Sequence, residues 1–552
     1  MPRTHFGLAF LAIACFLAFA SPPRAGAAES GPAALQGTVR SDEEGAMGGV
    51  LVSATKTGST ITTTVVTDEQ GHYAFPAARL APGKYDLAIR AVGYEVDGFP
   101  NTEVAAGKAG TADLKLRKTT RLFTQLTDAE WMVSAPGTPQ QQQFLSNCDG
   151  CHSLQRIFQS THTPDEFQQV FARMGGYSPG SVPSHPQPTV GGAQRGFGTP
   201  AQLQPFADWM ATINLSKQQS WNFPLKTFAR PSGRATHVII TEYDLARQDA
   251  QPHDVVRLAD GTVWYADFGH QFIGSLDPKT GKVKDYALPT VKPGFPTGTL
   301  DLEPDPSGNL WVSMMYQTGV AKFDLKTKKF TIYPLPKDWE HDHTQESMVT
   351  PTYASVDGKV WSNDQDTHAS LRLDVKTGQW DNLGPVKDLS GHGIAAYGMP
   401  ADHENNLYML AFGGSEIGKL DAKTKQLTIY PTPTPFSRPR RGRVDAEDNL
   451  WFAEYGGNAI GRFDSETEKI SEFKVPTPYF DPYDVVPAKN GEVWTGSMLT
   501  DRLDRLNPKT GDWVEYLLPR STNIRRVFVD NDGAIWVGSN HGASIVKVEP
   551  QD

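Results

Sequence analysis

The sequence predicts a multidomain, mainly β protein that consists of a small β-sandwich, a small α-helical domain and a seven-bladed β-propeller. Residues 33–118 alternate apolar and polar side chains between closely spaced turn signals, which is typical of a small antiparallel sandwich. Residues 119–222 place apolar side chains at helical spacing instead. Across residues 234–550 an aromatic residue recurs at intervals of 42 to 50 residues, a period typical of four-stranded propeller blades.

The composition narrows the function classes. A length of 552 residues exceeds what one hydrophobic core supports, so several domains are expected. Hydrophobic residues make up 38% of the chain and charged residues 21%, which is typical of a soluble globular protein. The net charge of −10 gives no support for binding to nucleic acid. No stretch after the N-terminus approaches the roughly 20 apolar residues of a membrane span, so we expect no transmembrane segment in the mature chain.

Residues 1–27 have the pattern of a cleaved signal peptide. Arg3 supplies positive charge, residues 6–20 are apolar, and residues 25–27 form a small-residue cleavage site. An alternative lipoprotein signal would use Cys15, but the apolar stretch before it would then be very short. We therefore predict plain export, to the periplasm or out of the cell.

The predicted sandwich, residues 33–118, carries the ordered motifs GxV, GVxVxA, TDxxGxYxF and GxYxLxxxxxGY. This pattern, carried above all by residues 68–75 and 83–94, resembles the carboxypeptidase regulatory-like domain, a transthyretin-like β-sandwich. The resemblance implies an interaction or scaffolding module. Carboxypeptidase chemistry is not implied, because no zinc-ligand motif accompanies the strands.

The motif Cys148-Asp149-Gly150-Cys151-His152 predicts covalent attachment of haem. In a C-x-x-C-H motif the two thiols bond to the porphyrin, and the histidine becomes an axial ligand of the iron. A redox dithiol or a zinc site would use the same cysteines, but cleavage of the signal peptide leaves these two alone, fewer than a cysteine-rich zinc site needs. The motif resembles that of c-type cytochromes. The resemblance implies a monohaem cytochrome c domain over residues 119–222, with one covalent haem c.

The second axial ligand of the iron has three candidates. Residues 164–174 are predicted to form a helix with Thr163 as its N-cap, and Met174 at its end is ranked first. His185 lies in the Gly/Pro/Ser-rich loop that follows and would give a bis-histidine haem. Met210 falls inside a second predicted helix, residues 199–213, where a packing role is expected for a methionine.

The propeller prediction rests on one aromatic residue per repeat unit. The intervals between these aromatic residues are 47, 50, 47, 43, 43 and 42 residues, and most are preceded by a hairpin turn such as Asp260-Gly261. A strand at residues 237–243 precedes the first unit and is expected to complete the last one, which lacks a full outer strand. The aromatic positions are Trp264, Trp311, Trp361, Tyr408, Trp451, Trp494 and Trp536.

The wording of the repeats, above all residues 450–464 (LWFAEYGGNAIGRFD), resembles the virginiamycin B lyase (streptogramin lyase) propeller family. The resemblance implies a histidine that acts as general base and acidic residues that hold magnesium. His253 matches a family histidine position, and Asp267 and Glu454 match the acidic position of the repeat. The chain departs from the family pattern at the next equivalent position, where Leu300 stands in place of a second histidine.

A hairpin argument predicts which residues face one mouth of the propeller. With a two-residue turn at Asp260-Gly261, cross-strand partners would have numbers that sum to 521, so residues eleven before each aromatic would lie near residues three or four after it. The first set comprises His253, Leu300, Thr350, Tyr397, Arg440, Tyr483 and Arg525, and the second comprises Asp267, Met314, Asp364, Ala411, Glu454, Ser497 and Ser539.

From this set we predict His253, Arg440 and Arg525 as catalytic or binding residues for an anionic or polyhydroxylated ligand. Asp267 and Glu454 are the predicted ligands of a divalent cation, Mg²⁺ or Ca²⁺. By the same register His541 lies away from the channel.

Two classes of function follow. In the first, the haem exchanges electrons with a small polar substrate at the propeller or with a redox partner protein, which makes the chain an electron-transfer protein or an oxidoreductase. In the second, the propeller is a virginiamycin B lyase-like carbon–oxygen lyase or a binding module tethered to a redox chain. The fused haem motif favours the first class.

Overall fold

The computed structural model describes residues 32–98, 100–191, 198–215, 224–385, 387, 390, 391, 393 and 396–552. The predicted signal peptide and Cys15 lie outside these residues, so export remains a prediction. No helix in the described ranges has both the length and the apolar character that a membrane span requires.

The N-terminal part is a sandwich of two sheets, as predicted. One sheet has the order β2-β1-β10-β7, with β5 and β9 also paired to β1, and the other contains β4, β3, β6 and β8. Between them lies a core of buried side chains that includes Leu35, Val52, Phe75 and Leu116. The strands are β1 (Ala33–Ser41), β2 (Gly45–Ala46), β3 (Leu51–Lys56), β4 (Ile61–Val66), β5 (His72–Pro76), β6 (Gly83–Arg90), β7 (Tyr94–Val96), β8 (Asn101–Val104), β9 (Gly110–Thr111) and β10 (Leu114–Lys118).

A helical segment follows the sandwich. Four of its helices begin at a threonine N-cap that forms a reciprocal capping box, among them Thr163 as predicted. The helices are α1 (Asp128–Ser134), α2 (Pro139–Phe144), α3 (Gln155–Phe158), α4 (Pro164–Gly175) and α5 (Pro200–Ile213), with a 3-10 turn at Leu145–Asn147.

The core of the helical segment continues into the propeller, and a separate cytochrome c domain is not shown. Its buried side chains, such as Trp131 and Met210, belong to one cluster with Tyr455, Tyr483 and Met498 of the propeller. The helices are short, and their apolar faces need the propeller surface to exclude water. The helical segment is therefore a cover packed on the propeller.

The C-terminal part is a β-propeller. Each predicted aromatic position lies in the second strand of a sheet, as the repeat requires. The elements are β11 (Val238–Asp244), β12 (Pro252–Arg257), β13 (Val263–Asp267), β14 (Phe272–Asp277), β15 (Lys282–Ala287), β16 (Leu302–Pro304), β17 (Asn309–Ser313), β18 (Val320–Asp324), β19 (Lys329–Tyr333), β20 (Val349–Thr350), α6 (Ala354–Asp357), β21 (Lys359–Asp364), β22 (Ala369–Asp374), β23 (Trp380–Pro385), β24 (Ala396–Gly398), β25 (Leu407–Ala411), β26 (Glu416–Leu420), β27 (Leu427–Pro431), β28 (Pro439–Val444), β29 (Leu450–Glu454), β30 (Ala459–Phe463), β31 (Ile470–Lys474), β32 (Pro482–Pro487), β33 (Val493–Ser497), β34 (Arg502–Asn507), β35 (Asp512–Leu517), β36 (Val527–Val529), β37 (Ile535–Ser539) and β38 (Ser544–Pro550), with 3-10 turns at Gly233–Thr236 and Lys337–Trp339.

The closing sheet corrects the prediction of a seven-bladed propeller. Strands β12 to β35 form six separate four-stranded sheets, but β36, β37 and β38 belong to an eight-stranded sheet of order β36-β37-β38-β11-β4-β3-β6-β8. Strand β11 pairs with β38, as expected, and its other edge pairs with β4 of the sandwich. The sheets therefore extend beyond a ring of seven blades. The edge of β11 that would otherwise be open is covered by β4 of the sandwich.

One buried ion pair links the sandwich to the propeller, and we expect its loss to destabilise the protein. Arg90 lies 2.6 Å from Asp501, and its guanidinium also donates to the carbonyl oxygen of Leu518 at 2.7 Å. Replacing Arg90 by Met leaves the Asp501 carboxylate buried without its cation, so the free energy of unfolding should fall by about 3–5 kcal/mol. Thermal unfolding followed by circular dichroism measures this loss.

The matched control is Arg79→Met at the same interface. Arg79 pairs with Glu549 at 2.9 Å, but both side chains are partly exposed, so the expected loss is about 1 kcal/mol or less. Equal losses in the free energy of unfolding for Arg90→Met and Arg79→Met would show that burial does not determine how much these ion pairs stabilise the protein.

Candidate functional site

A large cavity lies between the helical segment and one mouth of the propeller. Its volume is about 870 Å³, within the range of about 300–1,000 Å³ that ligand sites have. The helical segment contributes Cys148, Cys151, His152, Met174 and Met210, and the propeller contributes Phe268, Leu300, Tyr397, Phe412, Arg438, Arg440, Tyr455, Met498 and Arg525. The predicted haem motif and the predicted arginines thus face one space.

The C-x-x-C-H motif forms one wall of this cavity. Cys148 and Cys151 are not joined by a disulfide. Burial raises the pKa of the Cys148 thiol to about 12, which keeps it protonated and unlike the low-pKa thiolate of a redox dithiol. His152 Nδ1 lies 2.9 Å from the carbonyl oxygen of Ser153, so Nδ1 carries the proton and Nε2 is the nitrogen with a free lone pair. A metal-binding histidine has this arrangement.

The propeller and α1 hold the motif in place. Arg525 Nη2 donates to the carbonyl oxygen of Gly150 at 2.9 Å, and Arg525 Nε bonds to the side chain of Asn523 at 2.5 Å. From the other side, the Asp128 carboxylate accepts a hydrogen bond from the Leu154 backbone at 2.7 Å. The motif is therefore positioned by contacts distant in sequence.

His541 also lies near this motif, so the prediction that it is remote from the site is wrong. Burial and the neighbouring positive charge of Arg525 lower its pKa to about 3. The hairpin register misplaced His541 because it takes no account of the helical segment folded over the mouth.

The structure separates the three candidates for the second axial ligand. Met174 and Met210 both line the cavity, whereas His185 does not. The His185 ring stacks on His270, with ring centroids 4.5 Å apart. Met210 is fully buried in the shared core, and Met174 lies half-buried at the end of α4.

Arg440 lies in a box of aromatic rings on the propeller wall. Its guanidinium carbon is 3.8 Å from the ring centroid of Tyr483, 4.4 Å from that of Phe412 and 4.6 Å from that of Tyr455. Such contacts orient a guanidinium and stabilise it by cation–π attraction. Its Nη1 donates to the sulfur of Met498 at 3.3 Å, and its Nε has no partner.

His253 lies behind the cavity wall and does not line it. It is fully buried; its Nδ1 lies 2.7 Å from Asp254 and its Nε2 lies 2.9 Å from the Tyr483 hydroxyl, which in turn bonds to the Tyr397 hydroxyl. Burial lowers the pKa of His253 to about 3, so the ring is neutral at physiological pH. The predicted general base therefore reaches the cavity only through two phenols.

Below His253 the channel is filled by buried ion pairs. Arg441 bonds to both carboxylate oxygens of Asp254, at 2.7 and 3.0 Å, and to Asp301 at 2.6 Å. Arg526 bonds to Asp254 at 2.8 Å and to Glu303 at 2.7 Å. These charges close the channel between the two faces of the propeller.

A register shift between β12 and β13 brings the neighbouring residues His253 and Asp254 to different depths in the propeller. Predicted partner numbers sum to 521, but Val255 pairs with Tyr265 and Pro252 pairs with Asp267, with a register shift between them. Equivalent shifts follow Ala396, Pro439 and Pro482. A bulge adds a residue to one strand and re-aims side chains, so His253 faces the mouth region while Asp254 enters the channel.

The predicted acidic residues do not line the cavity. Asp267 is buried in an ion pair with Arg247 at 2.5 Å and bonds to His270 at 3.1 Å. Asp364 caps a local turn through the Thr367 hydroxyl at 2.7 Å. Glu454 is buried, and burial raises its pKa to about 8. Within the described ranges no group of three or more His, Cys, Asp or Glu side chains is arranged to hold a metal ion, so the predicted divalent-cation site has no assembled ligand set.

The hairpin register predicted the residues three or four after each aromatic near the mouth, and the candidate acidic residues were taken from position three. The structure brings position four to the cavity. The signal was present in the repeat itself. Phe268, Gln365, Phe412, Tyr455 and Met498 occupy this position and line the cavity.

Fold and site together define a class of protein: a β-propeller, edge-paired to a sandwich, with one mouth covered by a helical segment that carries a C-x-x-C-H motif. Residues 386–552 match the virginiamycin B lyase family, and residues 34–117 match the carboxypeptidase regulatory-like domain. Both resemblances stated from the sequence are thereby supported, whereas neither match covers residues 118–385.

Two solved structures are similar to the propeller. Virginiamycin B lyase from Staphylococcus aureus is 22% identical, covers 56% of this chain and 99% of its own, and gives a TM-score of 0.49. A streptogramin B lyase structure is 25% identical, covers 58% and 99% respectively, and gives a TM-score of 0.49. A search of curated proteins gives no match. The two family matches support a lyase-like propeller and a regulatory-like sandwich, and neither matched family is a cytochrome.

Proposed function

We propose that the chain is a haem c protein in which the propeller mouth forms the second wall of the haem site. The observation that carries this is the cavity of about 870 Å³ lined by Cys148, Cys151 and His152. When bound, a haem iron supplies one-electron transfer. In this proposal the haem transfers electrons, and the lyase-like propeller acts as a binding platform.

The residues present fit such a group. The thiols of Cys148 and Cys151 face the same cavity as the imidazole of His152, whose Nε2 is free to bind a metal. Apolar side chains line much of the space, among them Ile157, Phe167 and Phe171 on the helical side. A large apolar cavity flanked by cationic groups suits a macrocycle with acidic substituents.

The chain's own residues have separable tasks in this proposal. Cys148 and Cys151 would anchor the group, and His152 and Met174 would hold its iron. The shared core of the helical segment and propeller excludes water from the site. A site buried in this way favours electron transfer to a partner protein or a small reductant over free access of a large substrate.

The test begins with the exported protein produced in a host that attaches haem c. We expect the haem absorbance to stay with the polypeptide after acid–acetone extraction. We further expect Met174→Ala to remove the weak far-red absorbance of a methionine-ligated haem and to lower its reduction potential, since a thioether ligand raises that potential.

Met210→Ala is the matched control, because the same side chain also lines the cavity but packs in the core. Its spectrum should match that of the unchanged protein. If Met210→Ala removes the far-red band and Met174→Ala keeps it, the ligand assignment is reversed; if extraction removes the haem from the unchanged protein, the proposed function fails.

The family match favours a second candidate, a carbon–oxygen lyase in which His253 acts as the base. The engaged nitrogens of His253 and the covered mouth argue against it. Streptogramin turnover by the unchanged protein, lost in His253→Ala, would establish the lyase instead.

A further inference from the structure

We propose that Arg440 and Arg525 form a carboxylate-binding site on the propeller wall of the cavity. The acid comes either from the substituents of the bound haem, in which case the inference rests on the proposed function, or from a small diffusible acid. The chemistry of recognition is the same in both cases, because guanidinium groups bind carboxylate oxygens by charge-assisted hydrogen bonds.

The first step in the argument is the absence of counter-charges. Arg440 is 9% exposed and Arg525 is 3% exposed, and both line the cavity. In the part of the chain that the structure describes, neither guanidinium has a carboxylate within ion-pair distance, 4.0 Å. The neighbouring Arg441 and Arg526, by contrast, are each paired with acidic groups in the channel.

The existing contacts do not replace such a counter-charge. Arg440 meets aromatic rings and a methionine sulfur, while its Nε has no partner. Arg525 meets an amide oxygen and a backbone carbonyl. Taking an unpaired cation out of water costs several kcal/mol, and neutral contacts of this kind return only part of it.

Two buried acidic groups lie in the surroundings, but neither completes the site. The Asp149 carboxyl group interacts electrostatically with both guanidinium groups from beyond ion-pair distance, and it is directed to the Asn523 amide, 3.4 Å away. Burial raises the pKa of Asp481 to about 8, so this group holds its proton at neutral pH. One carboxyl group at a distance offsets the two guanidinium charges only in part, and the remaining positive charge is left for a ligand to neutralise.

The two guanidinium groups are also held in place before any ligand binds. The aromatic box fixes Arg440, and the bonds to Asn523 and Gly150 fix Arg525 against the C-x-x-C-H loop. Pre-organised donors lose little conformational entropy on binding. Arg525 consequently places one cation beside the loop that would carry the haem.

The test measures malonate binding by calorimetry to the exported protein and to its Cys148→Ala/Cys151→Ala form, which cannot attach haem. If haem substituents fill the site, the double variant binds malonate and the haem-loaded protein does not. If a diffusible acid fills it, both forms bind malonate. In either case Arg440→Met should weaken binding about ten- to a hundredfold, and Arg440→Lys should weaken it less.

A second readout is independent of malonate. Arg440→Met in the haem-loaded protein should lower the reduction potential, because removal of a nearby positive charge favours the oxidised iron. The control is Arg462→Met. Arg462 lies in β30, is partly exposed and pairs with Asp464, so its replacement should leave the reduction potential unchanged.

The outcomes are separable from those of the proposed function. If the exported protein carries no haem, the proposed function fails, and malonate binding that depends on Arg440 still establishes the carboxylate site. If neither form binds malonate and Arg440→Met leaves the potential unchanged, the carboxylate site is overturned while covalent haem stands.

Discussion

Replacing both Cys148 and Cys151 by Ala is expected to abolish covalent haem. A thioether bond forms only from a cysteine thiol, and Cys148 and Cys151 are the cysteines of the described chain, with no disulfide between them. Haem staining of a denaturing gel should change from strong to absent. Without the haem, the helical segment would keep only the packing of its core against the propeller. We therefore also expect faster amide exchange in α1 to α5, while the sheets of the propeller stay protected.

The matched control for this experiment is Ser153→Ala. Ser153 directly follows the motif, and its carbonyl oxygen, which survives the substitution, accepts the bond from His152. Haem content should therefore remain normal. Covalent haem retained by the double cysteine variant would refute the attachment site.

The second large effect is expected from Arg441→Met in the centre of the propeller. This side chain is 1% exposed, compensates the charge of Asp254 and also bonds to Asp301. Its removal leaves the Asp254 carboxylate buried without its main cation, so the free energy of unfolding should fall by about 3–5 kcal/mol at pH 7. Chemical denaturation followed by tryptophan fluorescence measures the loss.

The loss should depend on pH in a defined direction. The Arg441 and Arg526 charges now hold the pKa of Asp254 well below its ordinary value against the opposing effect of burial. Without Arg441, burial would raise that pKa above its value in the unfolded chain. A group raised in this way loses stability as the pH rises through its folded pKa, so the deficit should be smaller at pH 5 than at pH 8.

Arg462→Met is the control here as well. Its pair with Asp464 at 3.2 Å is half-exposed, and losses of about 1 kcal/mol or less are usual for such pairs. A deficit for Arg441→Met no larger than that of the control, or one that grows toward acid pH, would contradict the account of the channel.

Much of the architecture was predictable because it depends on local patterns of apolar and polar residues in the sequence. The alternation in residues 33–118 predicted the sandwich, and the recurring aromatic residues predicted the second strand of each sheet. Both signals arise from the periodicity of a strand with one buried face. The capping threonine Thr163 and the start of α4 were predictable for the same local reason.

The register at the propeller mouth was not predictable from the turn alone. The bulge after Pro252 depends on how β12 packs in the closed ring, and it moves Asp254 into the channel. The predicted acidic set, Asp267 and Glu454, lies outside the cavity, while Phe412 and Tyr455 line it.

The sequence by itself determined the C-x-x-C-H motif, the order of the three parts and the arginines of the repeat, because each depends on residue type and spacing along the chain. Only the tertiary structure decided that the motif faces Arg440 and Arg525 across one cavity, that His253 is screened by Tyr483, and that β11 joins the propeller to the sandwich. The physical reason is that these juxtapositions come from apolar surfaces and strand edges that pair over hundreds of residues, and no local pattern encodes which surface meets which.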